Sequence, residues 1–343
     1  MLCRFRLVLF TAILVSGCGG NSPTAPTTPG SGFNGVTVNA LDGQPISGVT
    51  VKIGSQTAVS DTSGAFRMEN PGSGFLSATL TSAAIIERRT TVTMQSGEPV
   101  RQTLIPASFD LVSFDEMFRE PGNRLRRWTN APSLVVLTTV LDYTRGLGAQ
   151  EEYYATPEQL TEAETALLIE QLTEGLGLLT GNTFRAFASV ERESVPSGSK
   201  INPLREGKIV VGRYNNVEGL LNTIGFGQWS TRENGQVIGG AVYLDRNFDK
   251  NYDARRLLRI HELGHALGYN HVTSRISIMN PAIGPEPTLF DRQGAAIGFQ
   301  RVPGNQSPDT DPGASGPGSI FGIVSAPSSS AWSGPIICAP RQH

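Results

Sequence analysis

The sequence predicts a multidomain chain, an N-terminal all-β antiparallel sandwich followed by an α+β domain, and three observations lead there. Between residues 33 and 106 the apolar residues alternate with period two, as half-buried strands require: Val36 and Val38, then Val49, Val51 and Ile53. Between 107 and 301 strand-like runs are interleaved with stretches of helical spacing. Glycine (39) and proline (22) are plentiful and aromatics few, which fits short strands, many turns and polar linker. A length of 343 residues suffices for two such domains. The net charge of -2 gives no electrostatic reason to expect a nucleic-acid partner.

Taken in order, the chain opens with Arg4 and Arg6 ahead of an apolar run at 7–15, the charged and hydrophobic regions of a secretory signal over 1–17. That run falls short of the ~20 residues that cross a bilayer. Val15-Ser16-Gly17-Cys18 resembles the bacterial lipobox. The resemblance implies that cleavage leaves Cys18 as a multiply acylated N-terminus, a stable membrane anchor. Gly19 follows rather than an acidic residue, so the resemblance implies an extracytoplasmic address at a bacterial outer membrane, with ordinary secretion as the alternative. Of the three cysteines the mature chain keeps one free thiol, Cys338, so no disulfide forms within it. Residues 18–32 are Asn, Ser, Pro, Thr and Gly with little apolar content, a flexible tether.

In the period-two stretch, Asp42-Gly43 and Asp61-Thr-Ser-Gly64 supply turns between the strands. The layout Gly35-Val-Thr-Val, Gly43-Gln-Pro-Ile-Ser-Gly48-Val and Ser60-Asp-Thr-Ser-Gly64-Ala-Phe66 resembles the carboxypeptidase regulatory-like, transthyretin-related domain over 33–106. It holds no histidine or cysteine, and its expected role is that of a spacer or adaptor.

In the second domain, 107–301, residues 132–141 read as a first strand, with 207–211 and 237–244 as further strands. A helix is expected over 156–180: Thr156 caps it, Pro157 suits its first turn, Gln159 completes a capping box, and Leu160, Ala163, Leu167, Leu172, Leu176 and Leu179 form the apolar stripe. The loop Asp245-Arg-Asn247-Phe-Asp249-Lys-Asn251-Tyr-Asp253 alternates oxygen-bearing side chains and raises Ca2+ as a weak second cofactor. An EF-hand would need glycine and glutamate where Lys250 and Arg256 stand. A last helix is expected over 288–299, then a mostly disordered tail over 302–343 in which 319–324 is a candidate short strand.

The chemistry concentrates in His261-Glu-Leu-Gly-His265-Ala-Leu-Gly268-Tyr-Asn-His271. Three of the chain's four histidines fall in these eleven residues. On a helix, positions i and i+4 share a face, so His261 and His265 aim at one point with Glu262 beside them. A third ligand needs the chain to leave the helix, and Gly268 provides the left-handed turn that brings His271 back. Three imidazoles leave a tetrahedral Zn2+ with one open position, the mark of a catalytic site. Glu262 is then the general base and acid of a hydrolysis.

HExxHxxGxxH followed by Met279 resembles the metzincin clan of zinc metalloendopeptidases, and Ile278-Met279-Asn280-Pro281 is similar to the short methionine turn of its matrixin-like members. Val272 matches no usual subfamily signature, and Pro281 stands where astacin- or serralysin-like members carry a tyrosine ligand. The resemblance implies a strand before the active helix that pairs with extended substrate, a place given to Gly240, Ala241, Val242 and Tyr243. The expected function is a lipid-anchored zinc endopeptidase acting on extracytoplasmic proteins or peptides. A surface adaptor with a structural zinc, and a zinc amidase acting on cell-wall peptides, are the alternatives.

Overall fold

The alternating stretch folds as seven strands: β1 (Phe33–Asn39), β2 (Thr50–Ile53), β3 (Gln56–Val59), β4 (Ala65–Met68), β5 (Phe75–Thr81), β6 (Arg88–Thr93) and β7 (Val100–Leu104). They form two sheets in the orders β4-β1-β7 and β3-β2-β5-β6. Inward residues of both, among them Phe33, Val51, Ile53, Phe66 and Leu80, share one core. Pairing is antiparallel except at one place: β1 and β7 run parallel, from Gly35 opposite Val100 to Asn39 opposite Leu104. The expectation of a wholly antiparallel sandwich is corrected there. β7 reaches β1 from the other sheet, and a strand that arrives by crossing over is not bound to the sense a hairpin imposes.

The computed structural model describes residues 32–314, apart from 70, 73, 94–98 and 146–150, together with 331–332 and 336–338. The expected signal peptide, Cys18, most of the tether and the candidate strand at 319–324 lie outside the described residues.

After the sandwich come α1 (Leu111–Phe118), β8 (Ser133–Leu137), β9 (Thr139–Arg145), β10 (Glu151–Gln159), α2 (Glu162–Leu179), β11 (Val190–Glu193), β12 (Lys208–Asn215), α3 (Val217–Leu221), β13 (Gly225–Thr231), β14 (Val237–Asp245), α4 (Arg246–Asn251), α5 (Arg255–Ala266) and α6 (Leu289–Gln300). The pieces β15 (Ala331–Trp332) and β16 (Ile336–Cys338) close the described elements. The chain is therefore mixed α and β, with several sheets. In the largest sheet β11, β8, β12 and β14 lie side by side and parallel, and β13 follows antiparallel to β14. The β9–β10 hairpin joins the far end of β12. Strands β12 and β14 are buried in nearly unbroken runs, because helices cover one face of the sheet and a tyrosine-rich cluster covers the other.

The long helix begins later than its spacing predicts. Residues 151–159 extend β10 instead, paired to β9, and Thr161 is the cap: its hydroxyl accepts from the Glu164 amide at 3.2 Å, and Glu164 accepts from the Thr161 amide at 2.9 Å. The buried stripe is accordingly Thr165, Leu168, Leu172, Leu176 and Leu179, while Ala163 and Leu167 face solvent. Thr161→Ala removes half of this reciprocal cap and is expected to cost about 0.5–2 kcal/mol in urea unfolding, with the denaturant slope unchanged. A loss near zero would show that water replaces the hydroxyl.

The expected tail boundary at 302 is also corrected. Residues 302–314 fold back between sandwich and helices, and Asn305, Asp309 and Asp311 are buried there. Arg88 of β6 donates to Asp309 at 2.9 Å and to Asp311 at 2.7 Å, and Arg301 donates to both oxygens of Asp309 at 2.7 and 2.8 Å. Backbone bonds add to this, with Arg89 N–H donating to Asp309 at 2.9 Å and Asp311 N–H to Arg89 at 2.8 Å. A stretch whose composition reads as linker is ordered because arginines from distant parts of the chain neutralise its carboxylates.

Candidate metal centre

Helix α5 carries the first part of the motif, and the whole segment His261 to Ala266 is buried. The His261 and His265 rings sit one turn apart on one face, their centroids 4.8 Å apart, and Glu262 follows His261 in the chain. At the end of the helix Gly268 adopts φ +105°, a conformation that only glycine takes without strain. A Cβ there would also meet Val237 Cγ2 at 2.9 Å. The chain turns at this point and His271 comes back to its partners.

The three Nε2 atoms converge. Their separations are 3.1 Å (His261 to His265), 3.2 Å (His265 to His271) and 3.3 Å (His261 to His271). His261 Nδ1 lies 2.7 Å from the Ile278 carbonyl, and His265 Nδ1 lies 2.8 Å from the Tyr269 carbonyl. A carbonyl oxygen only accepts, so in both rings Nδ1 carries the proton and Nε2 presents a lone pair. Lone pairs facing one another at this distance in a buried place repel unless a cation lies among them. For a tetrahedral zinc at about 2.0–2.1 Å from each nitrogen, the nitrogens would stand about 3.3–3.4 Å apart, close to what is seen. The residues fit the metal. Burial pushes the His261 imidazolium down to about 3 and the His271 imidazolium down to about 4, so all three rings are neutral and ready as ligands at pH 7.

Glu262 is fully buried and neither carboxylate oxygen has a hydrogen-bond partner. Burial raises its pKa well above the usual carboxylate range. A buried carboxyl without a partner is costly to keep for packing alone. Met279 packs under the same helix: a Cβ on Gly264 would lie 2.5 Å from its Sδ. The turn that carries it is fastened by Asp291, which accepts from Ser277 Oγ and from the Ile278 amide, and by Asn280, which donates to Val272 O at 2.7 Å.

The expected substrate edge is not an edge. Gly240, Ala241, Val242 and Tyr243 lie inside the sheet, paired with β12 on one side and β13 on the other. Their near-continuous apolar run is the signature of a strand buried on both faces, which suits an interior position. The strand that lies against α5 and toward the sheet's rim is β13. It comes close because it carries glycines: a Cβ on Gly227 would fall 2.4 Å from His265 Cβ, and one on Gly225 would fall 3.1 Å from Glu262 Oε1.

The calcium reading is corrected as well. The loop is the short helix α4, capped by Asp245, whose carboxylate accepts from the Asn247 and Phe248 amides at 2.9 and 3.0 Å. Asp249 is clasped by Arg213 at 2.6 Å and by Arg259 at 2.7 and 2.8 Å. These oxygens are used up by a helix cap and by two guanidiniums, and among the described residues the one cluster arranged to hold a metal is His261, His265 and His271.

Sequence reasoning missed Asp291, the carbonyls of Tyr269 and Ile278, and the glycines of β13. Asp291 had a local signal, as the third residue of a capping box begun by Thr288. The carbonyls had none, since every residue carries one. No protein-family model and no curated protein matches this chain.

Proposed function

We propose that the protein is a zinc-dependent endopeptidase with a metzincin-like catalytic domain behind a carboxypeptidase regulatory-like sandwich, carried outside the cytoplasm on a lipid at Cys18. The observation that carries the catalytic reading is the meeting of three Nε2 lone pairs within 3.3 Å beside a buried, unpartnered carboxyl. A structural zinc site would be closed by a fourth protein ligand, and none of the described His, Cys, Asp or Glu side chains joins this triad.

His261, His265 and His271 would hold the ion. Zinc bound there supplies a Lewis acid for a peptide carbonyl and lowers the pKa of water from 15.7 to about 7. The charge of a bound ion would favour the ionised form of Glu262, which would then take the proton of the attacking water and return it to the leaving amine nitrogen. The carbonyls of Ile278 and Tyr269 hold two rings in the tautomer that offers Nε2. Met279 and the Asp291-fastened turn keep the floor beneath them in place.

The test is a digest of a mixed peptide library by the purified protein, with zinc quantified. Cleavage that stops with chelator and returns with zinc is the expected result. Stoichiometric zinc with the library intact would turn the reading toward an adaptor whose metal is structural.

A further inference from the structure

The outer edge of β13 has an occupant. β16 pairs with it antiparallel, Gly225 opposite Cys338, Phe226 opposite Ile337 and Gly227 opposite Ile336, and β15 continues the pairing with Ser230 opposite Trp332. The register advances by one residue between the two runs. The stretch of edge covered by β16 is the one whose glycines lie against Glu262 and His265. β16 of the same chain therefore runs as an extended strand along the edge whose glycines face the proposed catalytic carboxyl.

We propose that β15 and β16 are a built-in competitor: they hold, by strand addition, the edge on which an extended peptide partner would lie. Backbone pairing of this kind accepts many sequences, because its hydrogen bonds come from the main chain. A segment on the same chain competes as an intramolecular ligand, without having to be supplied from solution. The buried arginines elsewhere are paired with carboxylates, Arg88 and Arg301 with Asp309, and Arg213 and Arg259 with Asp249.

The regulatory meaning rests on the peptidase reading, so the test has a binding readout of its own. In an antiparallel ladder alternate residues turn their N–H groups toward a given neighbour, so the full-length double variant Ile336→Pro, Ile337→Pro removes one ladder donor whichever residue supplies it. Two things are measured on wild type and variant: amide hydrogen exchange over 225–231, and fluorescence anisotropy of a labelled peptide with the sequence of 329–340. The variant is expected to exchange faster at 225–231 and to bind the peptide about 10-fold more tightly, and the bound peptide is expected to restore protection. On a cleavable extended peptide, KM should fall by a similar factor with kcat unchanged. Equal exchange and equal peptide affinity in the two proteins would overturn the proposal. Faster exchange with unaltered peptide affinity would also overturn it, since the tail would then cover an edge that takes no peptide. Tighter peptide binding with no cleavage by either protein would uphold the occupied edge and refute the peptidase.

Discussion

Replacing Glu262 by glutamine is expected to leave zinc bound and to lower turnover by about 10²–10⁴-fold, the usual contribution of a positioned proton carrier. The two side chains have nearly the same shape, and Glu262 makes no hydrogen bond that the amide would break. The ligand nitrogens, their carbonyl partners and the glycine-bearing strand alongside are untouched by the change. What is lost is a group that takes a proton and gives it back. Zinc content by mass spectrometry and turnover on the same preparation check this. Full zinc with unaltered turnover would remove Glu262 from the chemistry, and loss of zinc would show that the carboxylate helps to hold the ion.

Asp309→Ala is expected to destabilise the fold by about 3–5 kcal/mol, the cost of leaving buried charge without its partner. Asp309 is 0% exposed and accepts from Arg88, Arg301 and Asn305, the first of them from the sandwich and the other two from the segment at and after α6. Alanine strands the Arg301 guanidinium and leaves Arg88 with Asp311 alone. Burial would raise the Asp309 carboxyl, but Arg301 and Arg88 outweigh it and hold it below its ordinary value. A native pKa below the unfolded one means stability that is present above about pH 4 and is lost as pH falls through the native value. Urea unfolding at pH 7 should show the full difference between wild type and variant, and the difference should shrink as the medium becomes strongly acidic. A loss under about 1 kcal/mol at pH 7 would mean that water enters the interface and solvates the arginines.

How much of this was readable depends on how far apart the partners lie in the chain. The meeting of the three histidines was legible because helical spacing and one glycine bring His261, His265 and His271 together within eleven residues. The start of α2 was not, since both 156–159 and 161–164 offer a capping pattern and pairing of β10 with β9 decides between them. That β14 is interior and β13 lies toward the rim depends on which strands meet across the fold, and nothing near residue 240 states it. Asp309 and Asp311 looked like linker because their arginines are up to 223 residues away. The alternating oxygens of 245–253 show the opposite case: the local pattern is real, but Arg213 and Arg259 claim its central carboxylate.

The two glycines of β13 have a mechanical consequence. With no side chain between Gly227 and His265, or between Gly225 and Glu262, strand and helix touch as hard surfaces, with nothing between them to compress. Any side chain placed at 225 or 227 would therefore push on the helix that bears His261 and His265.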